Sequence, residues 1–220
     1  MNEGQPLRLH AVFCTAHQRP EVIDLIYRFR KRLFVESYGW RLDVRDGRER
    51  DQFDTPAAVH CALICNQEVV GGFRAMRADN EYLARCVFPQ LAAVKSYPQR
   101  PDAWEISRFG VLPGPDQREL AKFNYSLMFR FAQVRQAAAL VALVDLNHER
   151  LLKLLGIRTR RYGPPQIIGK DTRGEDLWGV AGEIPLAEQQ GSRFRELLAL
   201  AKQVEIDDEA LVLGRTRVSA

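Results

Sequence analysis

Two stretches set charged residues among apolar neighbours, where an unpaired charge is costly. In Gly71-Gly72-Phe73-Arg74 an arginine stands inside an apolar run, directly after two glycines that allow close backbone approach. In Trp104-Glu105-Ile106-Ser107-Arg108-Phe109, strand alternation predicts Glu105, Ser107 and Phe109 on one face and Trp104, Ile106 and Arg108 on the other. Upstream, the stretch 39–56 interleaves Asp43, Asp46, Glu49, Asp51 and Asp54 with Arg41, Arg45, Arg48 and Arg50. Asp51 and Asp54 are available partners for Arg74 and Arg108. Such a network offers carboxylates to an ammonium and guanidiniums to a carboxylate, which suits the anchoring of a zwitterion. The simpler account is a set of solvated loop charges and an ordinary cross-strand ion pair.

Other chemistries find little support. A calcium loop begun at Asp43 would put Arg45 where an oxygen ligand is needed. Cys14, Cys61, Cys65 and Cys86 form no CxxC pair, and His60 stands at no familiar zinc spacing, so the cysteines read as small buried or half-buried thiols. Gly71-Gly72 lies in a hairpin and opens no helix, so it is no nucleotide cradle, and no GxSxG elbow is present. His10, His17, His60 and His148 are isolated and read as structural or exposed. Arg150, Lys153, Arg158, Arg160 and Arg161 face only Glu149 in the span 149–161. They form either a solvated helix face or a docking patch for an acidic macromolecule or a phosphate. Tyr162 is the one aromatic nearby, so single-stranded nucleic acid is poorly supported.

The elements that must hold these residues are legible from periodicity. Strands are expected over 7–14 (an edge), 58–65 and 68–77 (a hairpin), 104–112, 138–144, 158–162 and 177–184. Helices are expected over 20–38, 119–136, 147–155 and 192–203, with Pro20 in a first turn and Gly156 as a C-cap. Residues 79–102 read as short helices over the sheet, and 39–56 as a long loop of the kind that tends to be functional. The order describes one α+β or mixed α/β domain over 1–204, followed by a weakly patterned tail, 205–220. The chain has 220 residues, 46% hydrophobic and 27% charged, with a net charge of +4. That balance excludes disorder and does not mark a nucleic-acid binder. The longest apolar run, 137–144, is far short of the ~20 residues of a membrane span. No secretory signal is visible at the start. A cytoplasmic globular protein is expected.

Together the motifs resemble the acyl-homoserine-lactone synthases, the LuxI-type autoinducer synthases. Arg30, Phe34 and Trp40 stand at that family's spacing, and Glu49-Arg50-Asp51-Gln52-Phe53-Asp54 is similar to its acidic loop E-x-D-x-[FY]-D. Val70-Gly71-Gly72-Phe73-Arg74 resembles its V-G-x-x-R strand, and Trp104 to Phe109 its W-E-x-S-R-[FL] strand. The resemblance covers about 20–185 and implies a GNAT-like acyltransferase fold, with a mixed central sheet, helices on both faces and a V-shaped cleft.

The implied reaction joins S-adenosylmethionine to an acyl thioester. The methionine amine attacks the thioester, then its carboxylate displaces methylthioadenosine to close a lactone. By the same resemblance Arg30, Phe34 and Trp40 close over the adenosylmethionine side. Asp51, Asp54, Arg74, Glu105 and Arg108 form the polar network, with Asp51 and Arg108 also binding S-adenosylmethionine and Glu105 the candidate base. Ser107, Phe109 and Val111, with Ala142 and Val144, face the acyl group and its oxyanion. No metal or resident cofactor is implied. The donor is an acyl carrier protein or acyl-CoA; Arg150 and Lys153 would dock an acidic carrier. Ala142, where many 3-oxo-acyl producers have threonine, points to an unsubstituted or branched chain. Two other readings compete: a GNAT-like N-acyltransferase that makes no lactone, and a non-enzymatic regulator. Phe34 and Trp40 favour the synthase, since a plain amino acid needs no lid of that size.

Overall fold

The computed structural model describes residues 7–211. In chain order it forms β1 (Leu9–Cys14), α1 (Pro20–Arg30), a small hairpin of β2 (Val44–Arg45) and β3 (Arg48–Glu49), β4 (Val59–Cys65) and β5 (Glu68–Arg77). There follow α2 (Leu83–Val87), β6 (Ala103–Val111), α3 (Gln117–Val134), β7 (Ala139–Asp145) and α4 (Leu146–Leu154). Last come β8 (Arg160–Arg161), β9 (Gln166–Lys170), β10 (Asp176–Pro185), α5 (Ser192–Ala199) and β11 (Glu205–Asp208).

One sheet runs β11-β1-β4-β5-β6-β7-β10-β8, with β9 also paired to β10. Neighbours are antiparallel except β1 with β11 and β6 with β7, so the sheet is mixed, as expected. Its two faces bury different cores. Phe13, Phe73, Ile106 and Leu140 pack beneath α3 and α5. On the opposite face Val12, Cys14 and Ala62 lie under α1, and Met76, Val141 and Ala181 under α2 and its following loop.

Two irregularities shape the middle of the sheet. Parallel pairing of β6 with β7 ends at Ile106 and Ala142, although the strands continue to Val111 and Asp145. Beyond that point they part into a V. The β5–β6 ladder also slips: Gly72 faces Gly110 but Arg74 faces Ser107, so Phe73 opposes two residues, and Arg108 has φ +52°. This bulge overturns the strict alternation expected of the strand. Arg108 joins Glu105 and Ser107 on the polar face, while Phe109 turns to the α3 face against Phe73 and Tyr125.

Several boundaries differ from the sequence expectation. The helix predicted over 20–38 is α-helical only to Arg30 and continues as a π-helical turn, Lys31–Ser37, with Leu33 and Phe34 buried. Gly110 permits this approach: a Cβ there would lie 2.5 Å from Leu33 Cδ2. The long loop contains the β2–β3 hairpin. The strand expected over 158–162 shrinks to β8, and β9 is additional. β1 is no edge, because β11 pairs alongside it, so the sheet extends past residue 204. Residues 212–220 of the expected tail lie outside the described residues. Cys14 and Cys61 are buried and Cys65 half-buried, but Cys86 is exposed.

Candidate active site

The V opens into a cavity of about 1600 Å³, walled by the splayed halves of β6 and β7, the loop 40–54, and parts of α3 and α4. Phe34, Trp40, Asp51, Asp54, Glu105, Ser107, Arg108, Phe109, Val111, Ala142, Val144 and Arg150 all line it. Of the residues expected at the site, Arg30 and Arg74 stand behind the wall and Lys153 lies outside it.

Arg30 is 1% exposed and Arg74 0% exposed, so neither meets the cavity and both serve as struts. Arg30 donates to Glu49 at 2.5 Å and, through both terminal nitrogens, to Asp54 at 2.7 and 3.0 Å. This overturns the expectation that Arg30 closes over a ligand: its guanidinium is consumed by two carboxylates. Arg74 donates to Asp51 at 2.5 and 3.2 Å, to Asp54 at 2.9 Å and to Ser107 Oγ at 3.1 Å. Arg108 spans Glu49 at 2.9 Å and Asp51 at 2.8 Å. Buried charges persist only when paired and hydrogen-bonded, and three arginines against three carboxylates meet that condition. Burial works against the charged forms of Asp51 and Asp54, but the adjacent arginines outweigh it and hold both carboxyls below their usual range. Glu49, the hub joining Arg30 to Arg108, was not singled out as a site residue; its place in the acidic motif was the available signal.

Glu105 occupies a different environment. It is 1% exposed and accepts from the backbone N–H of Ala84 at 2.7 Å and of Leu83 at 3.3 Å, at the start of α2. Burial raises its pKa, partly offset by those N–H donors and by Arg74. A carboxylate held this way is more basic than the arginine-paired acids beside it, which suits it to take a proton.

The aromatic residues form a cluster at one end. Phe34 and Trp40 stack at 5.1 Å with an interplanar angle of 21°, and Tyr38 packs against both. The far wall is apolar, built by Val111, Met128, Ala142, Val144, Leu152 and Ile184. Ser107 accepts from Arg74, so its hydroxyl is tied to the network. The basic cluster does not form one patch: Arg161 is bidentate on Glu149 and Arg160 pairs with Glu188. Arg150 remains at the cavity edge, with Lys153 exposed on the same helix.

Two buried polar residues escaped the sequence analysis. Asn124 donates to the carbonyls of Gly72 and Gly110, at 3.1 and 3.2 Å, and so ties α3 to the bulge. Tyr125 and His148 are hydrogen-bonded at 2.5 Å beside Phe109. A polar residue on the apolar stripe of a helix was the only signal for Asn124. Among the described residues, no group of three or more His, Cys, Asp or Glu is arranged to hold a metal ion.

Comparison with known proteins agrees with this architecture. The family model described as autoinducer synthase matches residues 15–174. An isovaleryl-homoserine lactone synthase of Bradyrhizobium diazoefficiens is 35% identical over 208 residues, covering 92% of this chain and 91% of that protein. An acyl-homoserine-lactone synthase of Aeromonas salmonicida is 32% identical over 173 residues, covering 76% and 80%. The solved structure of BjaI, a CoA-dependent acyl-homoserine lactone synthase with SAM and isopentyl-CoA, superposes with a TM-score of 0.77 at 24% identity. It covers 90% of this chain and 93% of that one.

Proposed function

The chain belongs to the autoinducer synthase family and is an acyl-homoserine-lactone synthase, and on that premise we infer how its cleft divides the labour. S-Adenosylmethionine takes the end formed by Phe34, Trp40, Asp51 and Arg108. There the aromatic faces meet the sulfonium and adenine, Asp51 meets the ammonium, and the Arg108 guanidinium meets the carboxylate. The acyl group takes the apolar wall around Val111, Ala142 and Val144. The observation that carries this assignment is that one cavity places an ion-pair network and an apolar wall on opposite sides of strands that part at Ile106 and Ala142.

The amine loses a proton toward Glu105, directly or through one water, and its nitrogen attacks the thioester carbonyl. Charge on the carbonyl oxygen is met by backbone N–H groups at the β6 bulge, where the ladder to β5 is broken. The carbon–sulfur bond breaks and the thiolate leaves. The substrate's carboxylate oxygen then displaces methylthioadenosine from the γ-carbon, a step governed by positioning because the sulfonium is already a good leaving group. Arg30, Arg74 and Asp54 hold the network rigid without touching substrate. The reaction needs no metal and no resident cofactor.

The acyl chain we assign is short and branched, of the isovaleryl kind. The 35% identity to the Bradyrhizobium diazoefficiens enzyme over nearly the whole chain supports this, as does the small, hydroxyl-free Ala142 in the wall. The donor is a thioester of a pantetheine thiol, as CoA or on a carrier protein, with Arg150 and Lys153 at the mouth for an anionic carrier. Both substrates place the enzyme in the cytoplasm, as a single domain that binds neither nucleic acid nor membrane. Mass spectrometry of extracts from an expressing host tests the assignment: a branched short-chain acyl-homoserine lactone absent from an empty-vector control is expected. Purified protein that releases no methylthioadenosine with any acyl donor would overturn it.

A further inference from the structure

The roles above leave one polar pair in the cavity unused. His148 lines the cavity from the first turn of α4, and its backbone N–H is fixed by the Asp145 side chain at 2.8 Å. Its Nε2 is 2.5 Å from the hydroxyl of Tyr125, which is 2% exposed on α3. Burial pushes the Tyr125 pKa strongly up and the His148 pKa down, so a protonated phenol faces a neutral imidazole. The phenol therefore donates to Nε2, and the ring carries its own proton on Nδ1. Among the described residues, Nδ1 bonds to no protein group. The ring lies edge-on to Phe109, centroids 5.8 Å apart, and Phe109 belongs to the bulge assigned to the thioester carbonyl. A fixed donor beside that carbonyl, backed by an apolar wall, faces the next atom of the donor: its sulfur.

We propose that His148, through Nδ1–H, hydrogen-bonds the thioester sulfur as the carbon–sulfur bond breaks, with Tyr125 the positioning residue that fixes its tautomer. The electron pair of that bond goes to sulfur while the amine nitrogen bonds the carbonyl carbon and its proton passes to the Glu105 side. The N–H of His148 stabilises the departing thiolate without being given up, and the thiolate takes its proton from solvent on release. The inference rests on the proposed acylation in this cleft.

Leaving groups of graded basicity test it. Wild type, His148→Ala, His148→Gln and Tyr125→Phe are assayed with S-adenosylmethionine and the CoA, carrier-protein and thiophenol esters of the acyl group found in extracts. His148→Ala is expected to lower kcat about 10- to 100-fold with the two pantetheine thiols, the range for a hydrogen bond to a charged group. The thiophenol ester, whose thiolate needs little help, should lose less than about threefold, and KM for S-adenosylmethionine should not change. His148→Gln, which keeps an N–H donor, should recover part of the loss. Tyr125→Phe should show the same leaving-group dependence in smaller measure, and it carries the test if His148→Ala does not fold. An equal loss with all three esters would overturn the proposal while the acylation reading stands. Wild type that turns over no ester would overturn both.

Discussion

Arg30 and Arg74, from a helix and a strand 44 positions apart in sequence, donate to the same oxygen, Oδ1 of Asp54, at 2.7 and 2.9 Å. Two buried like charges are thereby joined through one carboxylate, and the loop that carries it is bound to the sheet. Asp54→Ala leaves both guanidiniums short of a partner, so it should cost roughly 3–5 kcal/mol. At this chain length that is a fall in Tm of about 10 °C, readable by differential scanning fluorimetry. Activity should be lost along with loop order.

Glu105 is predicted to matter through its proton. Glu105→Gln keeps the shape of the side chain but cannot take a proton, so kcat should fall about 100-fold with Tm nearly unchanged. Because burial raises the Glu105 pKa above 4.5, the acid limb of the wild-type kcat–pH profile should lie above the ordinary glutamate range. Steady-state kinetics between pH 4 and 8 measure both.

Buried His60 sets the acid stability. Burial pushes its pKa from 6.5 down to about 3, so below pH 6.5 the unfolded chain takes up a proton that the folded chain refuses. Stability must then fall as pH drops through that window. The depressed Asp51 and Asp54 add their own loss only below about pH 4. The Tm difference between wild type and His60→Phe should change in favour of the variant from pH 7 to pH 4.5.

Trp40 should act on one substrate alone. Trp40→Ala removes the stacked partner of Phe34 and, by our assignment, a face for the sulfonium. Loss of about 1–2 kcal/mol of cation–π contact raises KM for S-adenosylmethionine roughly tenfold and leaves KM for the acyl donor unchanged. Initial rates with each substrate varied in turn separate the two.

Ala142 should set the space for the acyl chain. Ala142→Leu extends a larger side chain into the wall, and competition between acyl donors should shift toward shorter chains, read as lactone ratios by mass spectrometry.

The sequence was most informative where chemistry and periodicity coincided. Arg74 and Glu105 announced themselves as charges in apolar strands, and both proved buried and satisfied. Alternation failed at Arg108 because a bulge depends on the partner strand: it is the closeness of Gly72 to Cys61, where a Cβ would meet the carbonyl oxygen at 2.2 Å, that shapes this part of the ladder. Arg30 was recognised but misplaced, since spacing along a helix says nothing about which carboxylate folds back over it. His148 and Tyr125 are 23 residues apart and become a pair only when α3 and α4 pack on the same cleft. β11 was missed because Glu205-Ile206-Asp207-Asp208 has no strand pattern of its own; its charges are met by His10 and Arg135.

That last strand also sets a timetable. β11 pairs in parallel with β1, His10 facing Glu205, and no other described strand covers that side. During synthesis every other strand has left the ribosome before this partner emerges, so the open side of β1 stays unpaired through most of translation. Its N–H and C=O groups are available in that interval to any other extended chain. The acids of β11 and the guanidinium of Arg135, bidentate on Asp208 at 2.8 Å, close the nascent sheet against such capture.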